Sequence, residues 1–301
     1  MTEDRKVQIA RGLVKYIEDH KDAGMSQNKV ATVCGMSAAT ISHIIAGKWN
    51  AVPAQGGTRT TTVTDAIFLK IEAALGLTAD FFETDNYAAI FGACMDAKVR
   101  KEWRIIDGLT GAGKSFAVER FARTQPRETF LIRCKNTMNA KEFMQAIARA
   151  VGACEVGTRH RICQSIADRL LTMTHPLLII DESEALFKRT SEGGFGAIKD
   201  ICDEVKGRVG IVLVGANDFL EQLRLRAMNL RSCFPQLVSR FATAPVALEV
   251  LSRADVELIA PAFGVQAKKE MDRLYDGAAN FRELFDALRR QQADQYLLKA
   301  A

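Results

Sequence analysis

Apolar positions change their rhythm three times along the chain. Residues 1–49 space them at helical intervals in short segments. The stretch "NAVPAQGGTRTTTVT" (50–64) breaks that period with Pro, paired Gly and a Thr run, which predicts a linker. Helical spacing returns from 65 to about 100, anchored by Phe68, Phe81, Phe82 and Phe91. From "EWRIID" (102–107) to "TAPVALE" (243–249), strand-length apolar runs alternate with helix-period segments: "WRIID" (103–107), "TFLIRC" (129–134), "LLIIDE" (177–182) and "VGIVLVG" (209–215). Runs that are continuously apolar, joined through helices, predict a parallel sheet covered on both faces. After Ser252 only helices are expected. Capping signals fix two helix starts, "NAKE" at 139–142 and "NFRE" at 280–283, the second placing Phe281, Leu284, Phe285 and Leu288 on one face.

Composition narrows the class without naming it. A chain of 301 residues has room for one large or two to three small cores. The net charge of +5 permits a nucleic-acid partner and does not require one. Seven cysteines, an odd number with no C-x-x-C pair, argue against a disulfide framework or zinc knuckle and predict buried free thiols in a reducing cytoplasm. No signal-peptide core or bilayer-length apolar run is present, so an intracellular soluble protein is expected.

The chemistry begins at "GLTGAGKS" (108–115), which satisfies G-x-x-x-x-G-K-[ST] through Gly108, Gly113, Lys114 and Ser115. Glycines let backbone N–H groups curl round phosphates, and the following helix adds its positive dipole end. Lys114 reaches the outer phosphates and the Ser115 hydroxyl ligates Mg²⁺. Gly108, Thr110, Gly111, Ala112, Gly113, Lys114, Ser115 and Phe116 are the candidate contacts to ATP. The strand "LLIIDE" ends in Asp181, suited to hold Mg²⁺, and Glu182, suited to polarise an attacking water. A third strand ends at Asn217, a neutral group able to orient that water.

This order of motifs resembles the AAA+ ATPases from about residue 100 to the C-terminus. The resemblance implies an α/β P-loop NTPase core over 65–250, including a leading helical segment, and a small helical lid over 251–301. It makes Asn217 the sensor-one residue and Arg282, in "ANFREL", the sensor-two residue. It makes Arg240, in "LVSRF", the candidate arginine finger reaching a neighbouring subunit, with Arg231 in "NLRSCF" as a rival. A finger acting in trans implies self-association.

In front of this core, "QNKVATVCGMSAATISHIIAGKWN" (27–50) reads as a helix-turn-helix within an all-α domain over 1–49. Ala31 sits where the helices cross, Gly35 makes the turn, and Val30, Val33, Ile41, Ile44 and Ile45 supply the core. Ser37, Thr40, Ser42, His43 and Lys48 then fall on or near the outer face of the second helix. They are short polar groups suited to phosphates, with no arginine to read guanine. A slight basic excess over residues 1–50 points to modest, salt-sensitive, non-specific DNA binding. Lys135 in "RCKN", with Arg159 and Arg161 in "GTRHR", could grip a duplex backbone from the connections of the sheet.

The whole arrangement resembles the MuB family, the transposition protein B of Mu-like phages. That resemblance implies an ATP-dependent, largely sequence-independent binder of double-stranded DNA. Such proteins polymerise as helical filaments on target DNA, deliver it to a transposase and release it on hydrolysis. Two other readings fit the same motifs. One is a helicase-loader-like ATPase, which would bind a hexameric helicase. The other is a nucleotide-gated transcription regulator, which would footprint one palindromic site.

Overall fold

The computed structural model describes residues 3–21, 24–50, 52–53, 60–75, 82–187, 192–243 and 245–300. They fall into two compact units. One comprises Met1–Phe82, Glu257–Met271 and Gln292–Ala301, the other Glu83–Val256 and Asp272–Gln291. The tail expected as a lid, 251–301, is therefore divided between the two.

In the first unit, α1 (Glu3–Asp19) turns Ile9, Ala10 and Leu13 inward. The next helices, α2 (Gln27–Val33) and α3 (Ala38–Ile45), each open on a serine cap: Ser26 Oγ accepts from Lys29 N and Ser37 Oγ from Thr40 N. Gly35, at φ +58°, makes the turn between them. Val30, Ala31, Ile41 and Ile44 are buried as the pattern requires, but Val33 is 55% exposed. It lies roughly 100° round the helix from the stripe formed by Val30, Ala31 and Cys34, so it faces solvent.

The stretch expected as a linker contains a two-stranded ribbon, β1 (Val52–Pro53) antiparallel to β2 (Thr60–Thr61). Residues 54–59 lie outside the described residues, as does Phe81. Beyond the ribbon, Val63 N donates to Trp49 O at 2.8 Å and both side chains are buried. α4 (Asp65–Leu75) adds Phe68, Ile71 and Leu75 to the same core as α1. The helix grouped with the ATPase region by the composition break thus packs with the N-terminal residues. Pro53, Thr60 and Thr61 of the stretch that suggested a linker belong to this ribbon.

The second unit opens with α5 (Asp85–Arg100), β3 (Trp103–Gly108), α6 (Lys114–Thr124) and β4 (Thr129–Arg133). Next come α7 (Ala140–Val151), α8 (Arg159–Leu171), β5 (Leu177–Asp181), α9 (Gly194–Val205) and β6 (Gly210–Ala216). α10 (Phe219–Ala227), α11 (Phe234–Phe241) and the short β7 (Val246–Ala247) complete the core. The tail holds α12 (Arg253–Ile259), α13 (Lys268–Gly277) and α14 (Phe281–Ala300). All five strands of the sheet run parallel in the order β4-β5-β6-β3-β7.

Successive side chains point to opposite faces of a strand, and here both faces are covered. Leu177, Ile179, Val212 and Val214 pack against α5 and α6. Leu178, Ile180, Ile211 and Leu213 join the larger core with residues of α7 to α11. Each strand therefore reads as an unbroken apolar run. The expected cap at 139–142 is a full capping box, with Asn139 and Glu142 bonded reciprocally. At 280–283, Asn280 Oδ1 accepts from Glu283 N at 3.1 Å, while the Glu283 carboxylate reaches Ala279 N at 2.8 Å. All seven cysteines are free and six are buried; Cys154 is exposed, against the expectation of seven buried thiols. Among the described residues no helix is long and apolar enough to cross a membrane.

Candidate nucleotide site

Parallel strands bring their C-terminal ends to one edge, and β3, β5 and β6 each deliver a functional segment there. Gly108 ends β3, and α6 begins six residues later with its N-terminus facing the loop. Gly111 and Gly113 adopt φ of +86° and +84°, a left-handed conformation that residues with a Cβ rarely enter. Lys114 is buried, and its ammonium donates to the carbonyls of Gly108 at 2.7 Å and Leu109 at 2.8 Å. Burial lowers its pKa, opposed by the nearby charges of Glu184, Asp107, Asp181 and Glu182. Thr110 and Phe116 are exposed at the mouth of the loop, whereas Ala112 is buried beneath it.

Asp181, only 2% exposed, ends β5. Burial raises its pKa, opposed by hydrogen bonds from the Ser115 hydroxyl and from Glu182 N. A carboxylate bonded to the hydroxyl that follows the P-loop lysine is a donor pair suited to a divalent cation. Arg133 Nε also contacts Asp181 Oδ2, at 3.4 Å. Glu182 is exposed and left-handed at φ +57°, a backbone strain of about 1–2 kcal/mol at the residue directly after β5.

Asn217 follows β6 directly and is also left-handed, as is Asp218 after it, at +56° and +60°. Thr110 Oγ1 donates to Asn217 Oδ1 at 3.2 Å, so the P-loop and the end of β6 are bonded across the site. A second tie runs below it: the Asp107 carboxylate accepts from Phe219 N at 3.3 Å and Leu220 N at 3.0 Å, capping α10 from the P-loop strand.

One acid escaped the sequence reading. Glu184 lies in a 3₁₀ turn (Ser183–Leu186) after β5, and its Oε2 is buried with no hydrogen-bond partner. Burial raises its pKa, opposed by its own N–H, by the Ala216 N–H and by Lys114. The signal was an acid two residues beyond Glu182, too short and common to stand alone.

The N-terminus of α14 reaches the loop. A Cβ on Gly111 would lie 2.5 Å from Asn280 Oδ1, so that side chain rests directly on the glycine. Arg282, two residues on, is exposed. Arg240 lies elsewhere. Its guanidinium bonds Asp203 at 2.7 Å and sits 5.5 Å from the ring of Trp103, the first residue of β3. That is roughly 17 Å along the strand from Gly108, counting five steps. Arg231 is exposed in the turn between α10 and α11.

The residues picked out for DNA divide between the units. Ser37 and Thr40 are engaged with each other, Oγ to Oγ1 at 2.9 Å, around the cap of α3. Ser42 and Lys48 are exposed and His43 is half-buried. In the second unit, Cys154 N bonds Ser165 and Arg169 bonds the Val151 carbonyl, which sets α8 parallel to α7. Both helices therefore start on the P-loop edge of the sheet, and Lys135, Arg159 and Arg161, before or at these starts, are exposed. Arg159 is paired with Asp200 at 3.3 Å.

A family model for an AAA domain matches residues 100–223. The chain is 22% identical over 261 residues to the Mu-like prophage FluMu DNA transposition protein B of Haemophilus influenzae, covering 86% of this chain and 87% of the relative. Among solved structures it is similar to the RuvB Holliday junction branch migration motor of Thermotoga maritima (TM-score 0.47, 16% identity). That match covers 73% of this chain and 65% of the motor, less than two thirds. A Walker-type ATPase of Pyrococcus abyssi matches with a TM-score of 0.48 and 12% identity, over 74% of this chain and 75% of that one.

Proposed function

We propose that the chain, which matches an AAA domain over residues 100–223 and is similar along most of its length to a Mu-like prophage transposition protein B, is an ATP-controlled DNA-binding ATPase of DNA transposition. The observation that carries this reading is the extent of the match. It spans 86% of the chain, well beyond the ATPase region alone.

In this reading ATP lies on the loop 108–115, with Lys114 on its outer phosphates and Arg282 close to the γ-phosphate. Ser115 and Asp181 hold Mg²⁺, which neutralises phosphate charge when bound. Glu182 takes the proton of the attacking water, and Asn217, held by Thr110, orients that water. A neighbouring copy supplies Arg240 or Arg231, so nucleotide is shared between copies and its binding builds a helical assembly on double-stranded DNA. Commitment of Arg240 to Asp203 favours Arg231 as the residue free to reach a neighbour.

Ser37, Thr40, Ser42, His43 and Lys48 face the DNA from the front domain, and Lys135, Arg159 and Arg161 from the ATPase unit. Mostly short polar groups and backbone-directed cations give contacts with little dependence on sequence. The assembly acts in the cytoplasm, presents target DNA to a transposase and dissolves on hydrolysis. The test is whether ATP makes the chain assemble on random-sequence duplex.

A further inference from the structure

Arg133 ends β4 directly opposite Asp181 in the parallel register, so the two side chains are cross-strand neighbours. Its Nε meets Asp181 Oδ2 at 3.4 Å, and its Nη2 meets Glu119 Oε1, on α6, at 2.5 Å. On the same carboxylate, Oδ1 accepts from Glu182 N at 3.0 Å and the Ser115 hydroxyl supplies a further bond. Asp181 thus carries the donors expected around a metal carboxylate together with a full positive charge. The two partners differ in freedom: Asp181 is fixed and buried, whereas the Arg133 side chain is half-exposed.

We infer that Arg133 is a built-in counter-cation for Asp181, which a divalent cation must displace, so that Arg133 sets the Mg²⁺ concentration at which nucleotide is held tightly. A cation arriving between Ser115 and Asp181 repels the guanidinium a few ångströms away. Glu119 gives that guanidinium a second resting place as it yields. Arg133 is a positioning residue here and touches no nucleotide. The inference rests on the ATP–Mg²⁺ reading of the site.

The test is a Mg²⁺ titration of fluorescent ADP binding to the full chain, which requires no turnover. Arg133→Gln should lower the half-point in Mg²⁺ by about tenfold, the scale on which partners of metal ligands act. Its ADP affinity in EDTA should be unchanged. Arg133→Lys, which keeps the charge, should fall in between. Glu119→Gln should shift the half-point upward, because Arg133 then has only Asp181. If Arg133 merely braced the strand end, its loss would loosen Asp181 and raise the half-point. An unchanged or raised half-point in Arg133→Gln overturns the inference. So do shifts in the same direction for Arg133→Lys and Glu119→Gln, variants that keep the fold if the glutamine variant does not. An unmodified chain whose ADP affinity ignores Mg²⁺ would instead remove the reading on which the inference stands.

Discussion

Thr110 and Asn217 are joined by a hydrogen bond of 3.2 Å that links the phosphate loop to the end of β6. The bond fixes a neutral amide against the phosphate loop, at a point where the backbone is already held left-handed. Asn217→Ala should therefore lower kcat by about 10²-fold, the scale for losing one oriented polar group. Nucleotide affinity should change little, since the role proposed for Asn217 is to orient water and not to hold phosphate. Steady-state kinetics beside fluorescent-ADP binding separate the two effects. Equal losses in both would show that Asn217 acts in binding.

Glu182, the exposed acid that follows β5, is the proposed acceptor for the proton of the attacking water. Glu182→Gln should still bind ATP while hydrolysis slows by at least 10²-fold. A single-turnover assay with radiolabelled ATP reads both quantities. Normal turnover would exclude Glu182 as the base.

Glu184 places a partnerless carboxylate oxygen inside the protein, and burial raises its pKa. In the window between its ordinary and its raised pKa, the folded chain holds a proton that the unfolded chain has lost. Stability therefore falls as pH rises through that window, and the penalty is fully present above it. Glu184→Gln should stabilise the nucleotide-free chain at neutral pH by about 1 kcal/mol and weaken the pH dependence of Tm. Asp181, shifted the same way by burial, should keep part of that dependence. Thermal unfolding at pH 5 and pH 7 measures it; a glutamine variant less stable at pH 7 would contradict this account.

Gly111 is constrained twice, by its φ of +86° and by Asn280 resting on its α-carbon. Gly111→Ala should lower ATP affinity at least tenfold, with about 1–2 kcal/mol from the backbone alone. Adding Asn280→Ala should recover only part of the loss, since it relieves the clash and leaves the backbone strain. Full recovery would show that the contact, and not the left-handed turn, is what requires glycine.

Much of the site was legible because its elements are local. A P-loop is a run of adjacent residues, and Asp181, Glu182 and Asn217 lie at or directly after the end of a strand whose apolar run is visible. What stayed hidden depends on register and packing. Arg133 meets Asp181 only because β4 and β5 pair as they do, 48 residues apart. The Asn280 contact with Gly111 spans more than half the chain. The domain boundary misled for a related reason: Pro, Gly and Thr signal a turn or a linker equally, and only the burial of Val63, Phe68 and Ile71 shows that the chain turns back on the N-terminal core.

The central claim is that ATP held by Lys114 controls grip on DNA, and electron microscopy with co-sedimentation on random-sequence duplex tests it most directly. The unmodified chain should coat the duplex as filaments with ATP and leave it bare with ADP or no nucleotide. Lys114→Ala should leave it bare in every condition. Filaments formed by Lys114→Ala, or DNA binding by the unmodified chain that is the same with and without ATP, would contradict the account.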